Sequence, residues 1–229
     1  MISTMRRHPA GTHLGLMLAL TFSTGIIDAV GYLGLDRVFT GNMTGNIVIL
    51  GMALTGADGL PILGPVLALV GFMAGAAVAG RLLRNLAAGW SNSTTVVFAI
   101  VALVLLAAGV VMVALGGIAE PVLLAVTTAL GLAMGAQAGA ARHIAVKDVT
   151  TVVVPSTITG LAADSVFGAR VDRHPWRRRA GAIALIGAGA AIGALALNVH
   201  IGLGIALSAV ITILVTVIGH LARPRREAA

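Results

Sequence analysis

Cysteine is absent from the 229 residues, which excludes disulfides, thiol catalysis and thiolate metal sites. Charge is scarce as well. Asp, Glu, Lys and Arg together make up 10% of the chain, against about 25% in soluble domains. Aromatic residues are 3%, with one tyrosine and two tryptophans, and both tryptophans (Trp90 and Trp176) fall in expected loops. The six histidines (His8, His13, His143, His174, His200 and His220) are scattered, with no pair at metal-ligand spacing on one helix. Neither a metal nor a cofactor is expected. What fills the chain instead is apolar: 58% hydrophobic residues and a mean hydropathy of +1.02. A polytopic membrane protein lying in the lipid bilayer is the class that fits.

The net charge of +7 does not point to nucleic acid, because the arginines lie in short segments between apolar runs. Basic residues beside membrane spans are topology signals first. A bilayer core needs about 20 apolar residues per helix, and the runs 14–35, 61–83, 94–116, 121–141, 178–197 and 201–221 qualify. The first, preceded by Arg6-Arg7, lacks a small-x-small cleavage site and reads as an uncleaved span. Two further segments, 38–56 and 149–169, are apolar but interrupted by polar residues and, in the second, by Pro155. If all eight cross, with a cytoplasmic N-terminus, Arg37, Arg81, Arg84, Arg142 and Lys147 fall outside. If the two interrupted segments dip in and return, only Arg37 of the fifteen Lys and Arg is left outside. The positive-inside rule favours the second arrangement. The expected fold is therefore an all-α integral membrane bundle of six full spans plus two broken, re-entrant segments, with both termini cytoplasmic.

Residues 1–229 read as one membrane domain. Each half, 14–116 and 121–221, then runs span, re-entrant segment, span, span. Three crossings per half place the halves in opposite orientations, so the pattern points to a 3+3 inverted repeat. Gly25 has a counterpart in Gly135, and Thr40-Gly41-Asn42-Met43-Thr44-Gly45 one in Pro155-Ser156-Thr157-Ile158-Thr159-Gly160. Chance matches are the competing explanation, since Thr-Gly pairs are common here. Inverted repeats with discontinuous helices point to a binding site near the bilayer midplane. Small residues four apart (Gly71, Gly75, Ala79; Gly131, Gly135, Gly139) let helix backbones approach closely. They fit packing within one chain, and a homo-oligomer equally well.

Asp28 lies well inside the first span. A carboxyl at such depth costs several kcal/mol and is a functional hypothesis by default. The competing reading is a structural acceptor for backbone N–H groups freed by the broken segment. Asn42, Thr44 and Asn46 precede or open a helix running to Leu54, and Thr157 and Thr159 do the same for one running to Phe167. Asn and Thr are favoured N-caps, and capping alone would account for Thr44 and Thr159. Helix N-termini meeting at the midplane favour anions or neutral polar solutes over cations. Gln137 is the remaining amide expected to face the same cavity. Asp164 is expected nearer the rim, within reach of Arg170.

The runs Gly25-Ile-Ile-Asp28-Ala29-Val-Gly-Tyr32-Leu33 and Val38-Phe39-Thr40-Gly41-Asn42-Met43-Thr44-Gly45-Asn46 resemble the first signature of the YoaK-like family of small bacterial membrane proteins. Met134-Gly135-Ala136-Gln137 and Thr157-Ile158-Thr159-Gly160-Leu161-Ala162-Ala163-Asp164-Ser165 resemble its second. The family pattern often has Asn where this chain has Ala138, and Pro155 is also a departure. The resemblance implies a bacterial inner-membrane location and no established activity. Three classes remain. A transporter or channel for a small polar solute or ion would use Asp28, Asn42, Thr44, Asn46, Gln137, Thr157 and Thr159. A non-transport scaffold or assembly partner would keep the same polar core for structure. An intramembrane enzyme fits worst, because Asp28 and Asp164 do not read as a catalytic pair at one depth.

Overall fold

The computed structural model describes residues 9–57, 59–115, 119–146, 154–165 and 175–223. Among them are eight helices: α1 Pro9–Gly34, α2 Met43–Ala53, α3 Leu63–Leu83, α4 Asn92–Ala114, α5 Glu120–Ile144, α6 Val154–Ala163, α7 Pro175–Leu197 and α8 Ile201–Ala222. Six of them are long and apolar enough to cross a membrane, and these are the six expected runs, with ends that differ by up to five residues. The protein is a multi-pass, all-α membrane bundle. Helices α2 and α6 have 11 and 10 residues; at about 1.5 Å per residue neither spans a hydrocarbon core of about 30 Å.

Local sequence sets the helix ends. Ser91 caps α4 in a reciprocal box with Thr94, satisfying two orphan amides at once. Pro121 opens α5, where a missing N–H is harmless, and Ala145 closes it in the left-handed conformation. Pro155 plays the opening role in α6. The helix therefore starts at Val154 and holds Thr157 and Thr159 inside it, rather than ahead of it as the proline break had suggested. Phe167, the expected end of that helix, lies outside the described residues. Trp176 is likewise the second residue of α7, not part of a loop.

The spans alternate. At one end, His13 of α1 lies 6.3 Å from the ring of Trp90, just before α4. His143 at the end of α5 meets the Ala87 carbonyl at 3.1 Å, and His220 near the end of α8 meets Thr95 at 3.4 Å. At the other end, Gly34 closes on Leu197 and Ile201, and Gly64 on Val38. The chain thus leaves α1 and enters α3 on the same side, and the α2 segment turns back without crossing. Arg81, Arg84, Arg142, Arg177, Arg178, Arg179 and Arg223 belong to the first end and Arg37 to the second. Arg6, Arg7, Lys147, Arg170, Arg173, Arg225 and Arg226 lie outside the described residues.

Helix pairing follows a twofold pattern. Exchanging α1 with α5, α2 with α6, α3 with α7 and α4 with α8 turns α1–α7 into α5–α3, α1–α8 into α5–α4, α2–α3 into α6–α7, and α3–α4 into α7–α8. The pairs α1–α5 and α4–α8 map onto themselves. The closest pairs are built on the small residues. A Cβ on Gly25 or Gly189 would strike the Ile186 or Phe22 carbonyl, and one on Gly135 or Gly75 the Phe72 or Leu132 carbonyl. Backbone approach replaces the missing hydrophobic drive between helices in lipid. Among the described helices, α6 packs on α7 and α2 on α3. The result is two interleaved bodies, α1 with α6, α7 and α8, and α5 with α2, α3 and α4. Between helices they are joined mainly where α4 meets α8.

The core lies where α1, α4, α5 and α8 converge, with Met17, Leu20, Ile27, Phe98, Leu105, Leu130, Met134 and Ile205 buried. Outward faces carry exposed Val, Leu and Ile, as lipid contact requires. Buried hydroxyls are satisfied locally. Thr21, Thr24, Thr212 and Thr216 donate to the carbonyl four residues back, and Ser23 bonds Ser208 at 2.6 Å across α1 and α8.

Candidate functional site

The turn after α1 aims the chain back into the bundle. Asp36 and Arg37 both take positive φ, 59° and 58°, where a non-glycine residue is held at a cost of about 1–2 kcal/mol. The Arg37 amide reaches the Tyr32 carbonyl at 3.1 Å, closing the helix end. Residues 38–41 then run back along α1. Gly31 makes room for them, since a Cβ there would meet the Val38 carbonyl oxygen and the Thr40 side chain.

Asp28 receives that returning segment. Its Oδ1 accepts from the amides of Thr40 (3.1 Å), Gly41 (2.7 Å) and Asn42 (3.3 Å), and the Thr40 hydroxyl stands at 3.5 Å. Its Oδ2 has no hydrogen-bond partner among the described residues. The next amides are also used. Met43 donates to the Gly41 carbonyl, Gly45 to Asn42 Oδ1, and Asn46 to the Asn42 carbonyl. Only the Thr44 amide is left. The anion-friendly N-terminus expected of α2 is thus consumed by Asp28 and by its own cap.

Asn46 is fully buried and works as a clasp. Its Oδ1 accepts from the Phe39 amide at 2.9 Å, and its Nδ2 donates to the Phe39 carbonyl at 2.6 Å. Such a pair mimics a strand partner for backbone that has none. Gln137 is also fully buried; its Nε2 donates to Thr24 Oγ1 at 3.2 Å, and its Oε1 has no partner among the described residues.

A cavity of about 780 Å³ lies beside Asp28. One wall is Thr24, Asp28 and Tyr32 of α1, with Ile158 and Thr159 of α6 and Ile186 of α7. The other is Phe39, Asn42, Thr44, Gly45, Val48 and Ile49, all from the returning segment and α2. The two broken segments therefore share one cavity. Of the residues singled out from sequence, Asp28, Asn42, Thr44 and Thr159 line it. Asn46 and Thr157 are buried away from it. Gln137 reaches it only through Thr24. Helix α6 presents its second turn rather than its N-terminus. Sequence reasoning missed Thr24, Tyr32 and Phe39. Thr24, Asp28 and Tyr32 stand four apart, which puts them on one helix face, so that signal was available. Tyr32 stacks on Phe39 with ring centres 4.9 Å apart.

Asp164 pairs with Arg179; Arg170, which the sequence put within its reach, lies outside the described residues. Arg179 Nη1 donates to Asp164 Oδ2 and, at 2.7 Å, to the Gly160 carbonyl. The arginine of α7 thereby pins α6 against α7. No cluster of metal-binding side chains exists among the described residues.

Fold and cavity define a small polytopic membrane protein whose two discontinuous segments close on one pocket of mixed polar and apolar lining. The chain belongs to the family described as "Protein of unknown function (DUF1275)", which it matches over residues 16–218. It is 30% identical over 153 residues to the "UPF0700 transmembrane protein YoaK" of Bacillus subtilis (strain 168), an alignment covering 65% of this chain and 65% of that protein. The chain thus spans just under two thirds of the length of the curated relative it matches. No solved structure matches it.

Proposed function

We propose that this protein is a carrier for a small polar solute or ion, seated in the bacterial inner membrane with both termini in the cytoplasm. The observation that carries the reading is the position of the cavity. One wall belongs to α1, α6 and α7, the other to the α2 segment, so the pocket opens between two interleaved bodies. Rocking of one body against the other about the α4–α8 contact would expose the pocket to each side in turn, the general scheme of inverted-repeat carriers. The gathering of arginines at one end of the bundle supports the cytoplasmic assignment of that end.

A scaffold remains the second reading. It is favoured by the Asp28 oxygen that accepts three backbone amides, a role complete without any solute. Single cysteines placed at Thr44 and Thr159 in proteoliposomes separate the two. A carrier reacts at both positions with impermeant thiol reagents from either side. Reaction at both positions from one side only, or at neither, removes the carrier and leaves the scaffold.

A further inference from the structure

The chemistry of the pocket narrows what it can hold. We infer that the cavity is a site for a small organic cation with an N–H donor and an apolar body, bound at Asp28 Oδ2 in exchange for a proton; this rests on the carrier reading above. The inference begins with the two carboxyl oxygens. Oδ1 faces three backbone amides, so it is an acceptor in every state and cannot carry the proton. Asp28 lines the pocket, and its Oδ2 has no partner among the described residues. A carboxylate oxygen left bare inside a membrane is costly, so a proton or a cationic donor occupies it. The two compete for one atom.

The surroundings select the rest of the ligand. An anion needs free N–H groups, and the amides that could supply them are already bonded, Thr44 apart. An inorganic divalent cation needs about six to eight oxygens; Thr24 Oγ1 and Asn42 Oδ1 are already engaged by Gln137 and the Gly45 amide, which leaves Oδ2 and the Tyr32, Thr44 and Thr159 hydroxyls of the wall. What the wall does offer is the Tyr32–Phe39 stack, with Tyr32 39% exposed, and the apolar surface of Val48, Ile158 and Ile186. Tyr32 stands one helical turn beyond Asp28, so one ammonium group can touch Oδ2 while lying by the aromatic face, an arrangement that favours cations. Among the described residues, the charged groups on the elements around the pocket are engaged or placed elsewhere. Helix α2 carries none, Glu120, Arg142 and His143 lie at the ends of α5, and His200, His220 and Arg223 at the ends of α8. Asp36 and Arg37 form the turn above, and Arg179 is held on Asp164 and Gly160.

The exchange balances in charge and atoms. The carboxyl O–H breaks, its proton passes to bulk water, and the ammonium N–H···O⁻ contact takes its place. The test uses purified protein in weakly buffered detergent, with phenethylammonium chloride as the probe and potassium benzoate as its anionic counterpart. Phenethylammonium is expected to bind, to release close to one proton per site, and to weaken as pH falls. Asp28→Asn keeps the Oδ1 acceptor but puts a donor at the Oδ2 position. It should remain folded, lose the proton release and bind at least about tenfold more weakly. Tyr32→Leu should keep the proton release and lose about three- to tenfold in affinity. Tighter binding of benzoate, binding without proton release, equal binding by Asp28→Asn, or no amine binding to folded protein each overturns the cation site. Uptake of a neutral or anionic probe by proteoliposomes in that last case would leave the carrier reading standing. Amine binding with one-sided cysteine access would do the reverse.

Discussion

Asp28 Oδ1 lies 2.7 Å from the amide nitrogen of Gly41, thirteen residues further along the chain, and the amides of Thr40 and Asn42 converge on the same atom. One side chain of a spanning helix thus stands in for the hydrogen-bond partners that a broken segment would otherwise find in water. Irregular backbone at membrane depth is tolerated only under such cover. The same residue lines the pocket, so the support of the broken segment and the wall of the cavity meet at one carboxyl.

Two substitutions separate those roles. Asp28→Asn retains an oxygen at the Oδ1 position, and its stability loss should be on the order of 1 kcal/mol. Asp28→Ala strips three amides of their acceptor at once, at about 1–3 kcal/mol for each one that stays dry. Thermal unfolding in detergent should therefore rank wild type, Asn, then Ala, with the larger gap between Asn and Ala. A collapse of the Asn variant to the level of Ala would mean that the ionised carboxylate itself holds the segment.

The glycine pairs make a prediction internal to one helix. A Cβ on Gly75 would strike the Leu132 carbonyl of α5, whereas one on Gly80, also in α3, meets nothing within 4 Å. Gly75→Ala should force α3 and α5 apart and destabilise by about 1–3 kcal/mol. Gly80→Ala should be neutral or stabilise by about 0.5–1 kcal/mol, the helix-propensity gain. Equal melting temperatures for the two variants would show that the α3–α5 approach is looser than the structure has it.

Much of this was legible in the sequence because membranes impose simple lengths. Six runs of about 20 apolar residues could only be spans, and the charge split expected from the sequence, with Arg37 alone outside, favoured the arrangement in which two segments turn back. The Asn42 cap was readable from residue type. Other features were not. Pro155 signals both a helix break and a helix start, and only the backbone shows the start. The partners of Asp28 depend on a turn at Asp36-Arg37 with two consecutive positive φ values; Asp tolerates that region, but nothing in residue type announces it at Arg37. Asn46 looked like a pocket residue beside Asn42 and Thr44. Its place in the helix turns it inward onto Phe39, which spacing from an assumed helix start could not resolve.

The alternation of spans gives a topology prediction. Because the chain lacks cysteine, single-cysteine variants at Asn85, His143 and Val199 can each be labelled alone. Asn85 belongs to the end where His143 meets Ala87, while Val199, 75% exposed, sits between α7 and α8 at the other. An impermeant reagent applied to intact cells should label Val199→Cys and spare the other two until the membrane is opened. Labelling of Asn85→Cys from outside would reverse the orientation, and labelling of Asn85→Cys and His143→Cys from different sides would break the six-span arrangement.

Arg179 should control α6 more than it controls the whole bundle. Among the described helices α6 packs on α7, and Arg179 gives it two polar ties, to the Gly160 carbonyl and to Asp164 just past the helix end. The two ties are not equal. Asp164 is 36% exposed, where an ion pair is worth about 0–1 kcal/mol. The Gly160 bond has a charged donor that is 15% exposed, a setting in which hydrogen bonds contribute about 1.5–3 kcal/mol. Arg179→Gln should therefore loosen α6 more than Asp164→Asn does, and Arg179→Lys should fall between. Hydrogen exchange followed by mass spectrometry would read this as faster exchange in residues 154–163, with α3 and α5 unchanged. Because Thr159 forms part of the pocket wall, solute binding should weaken in the same order. Equal exchange in all three variants would show that packing against α7, not the arginine, holds α6 in place.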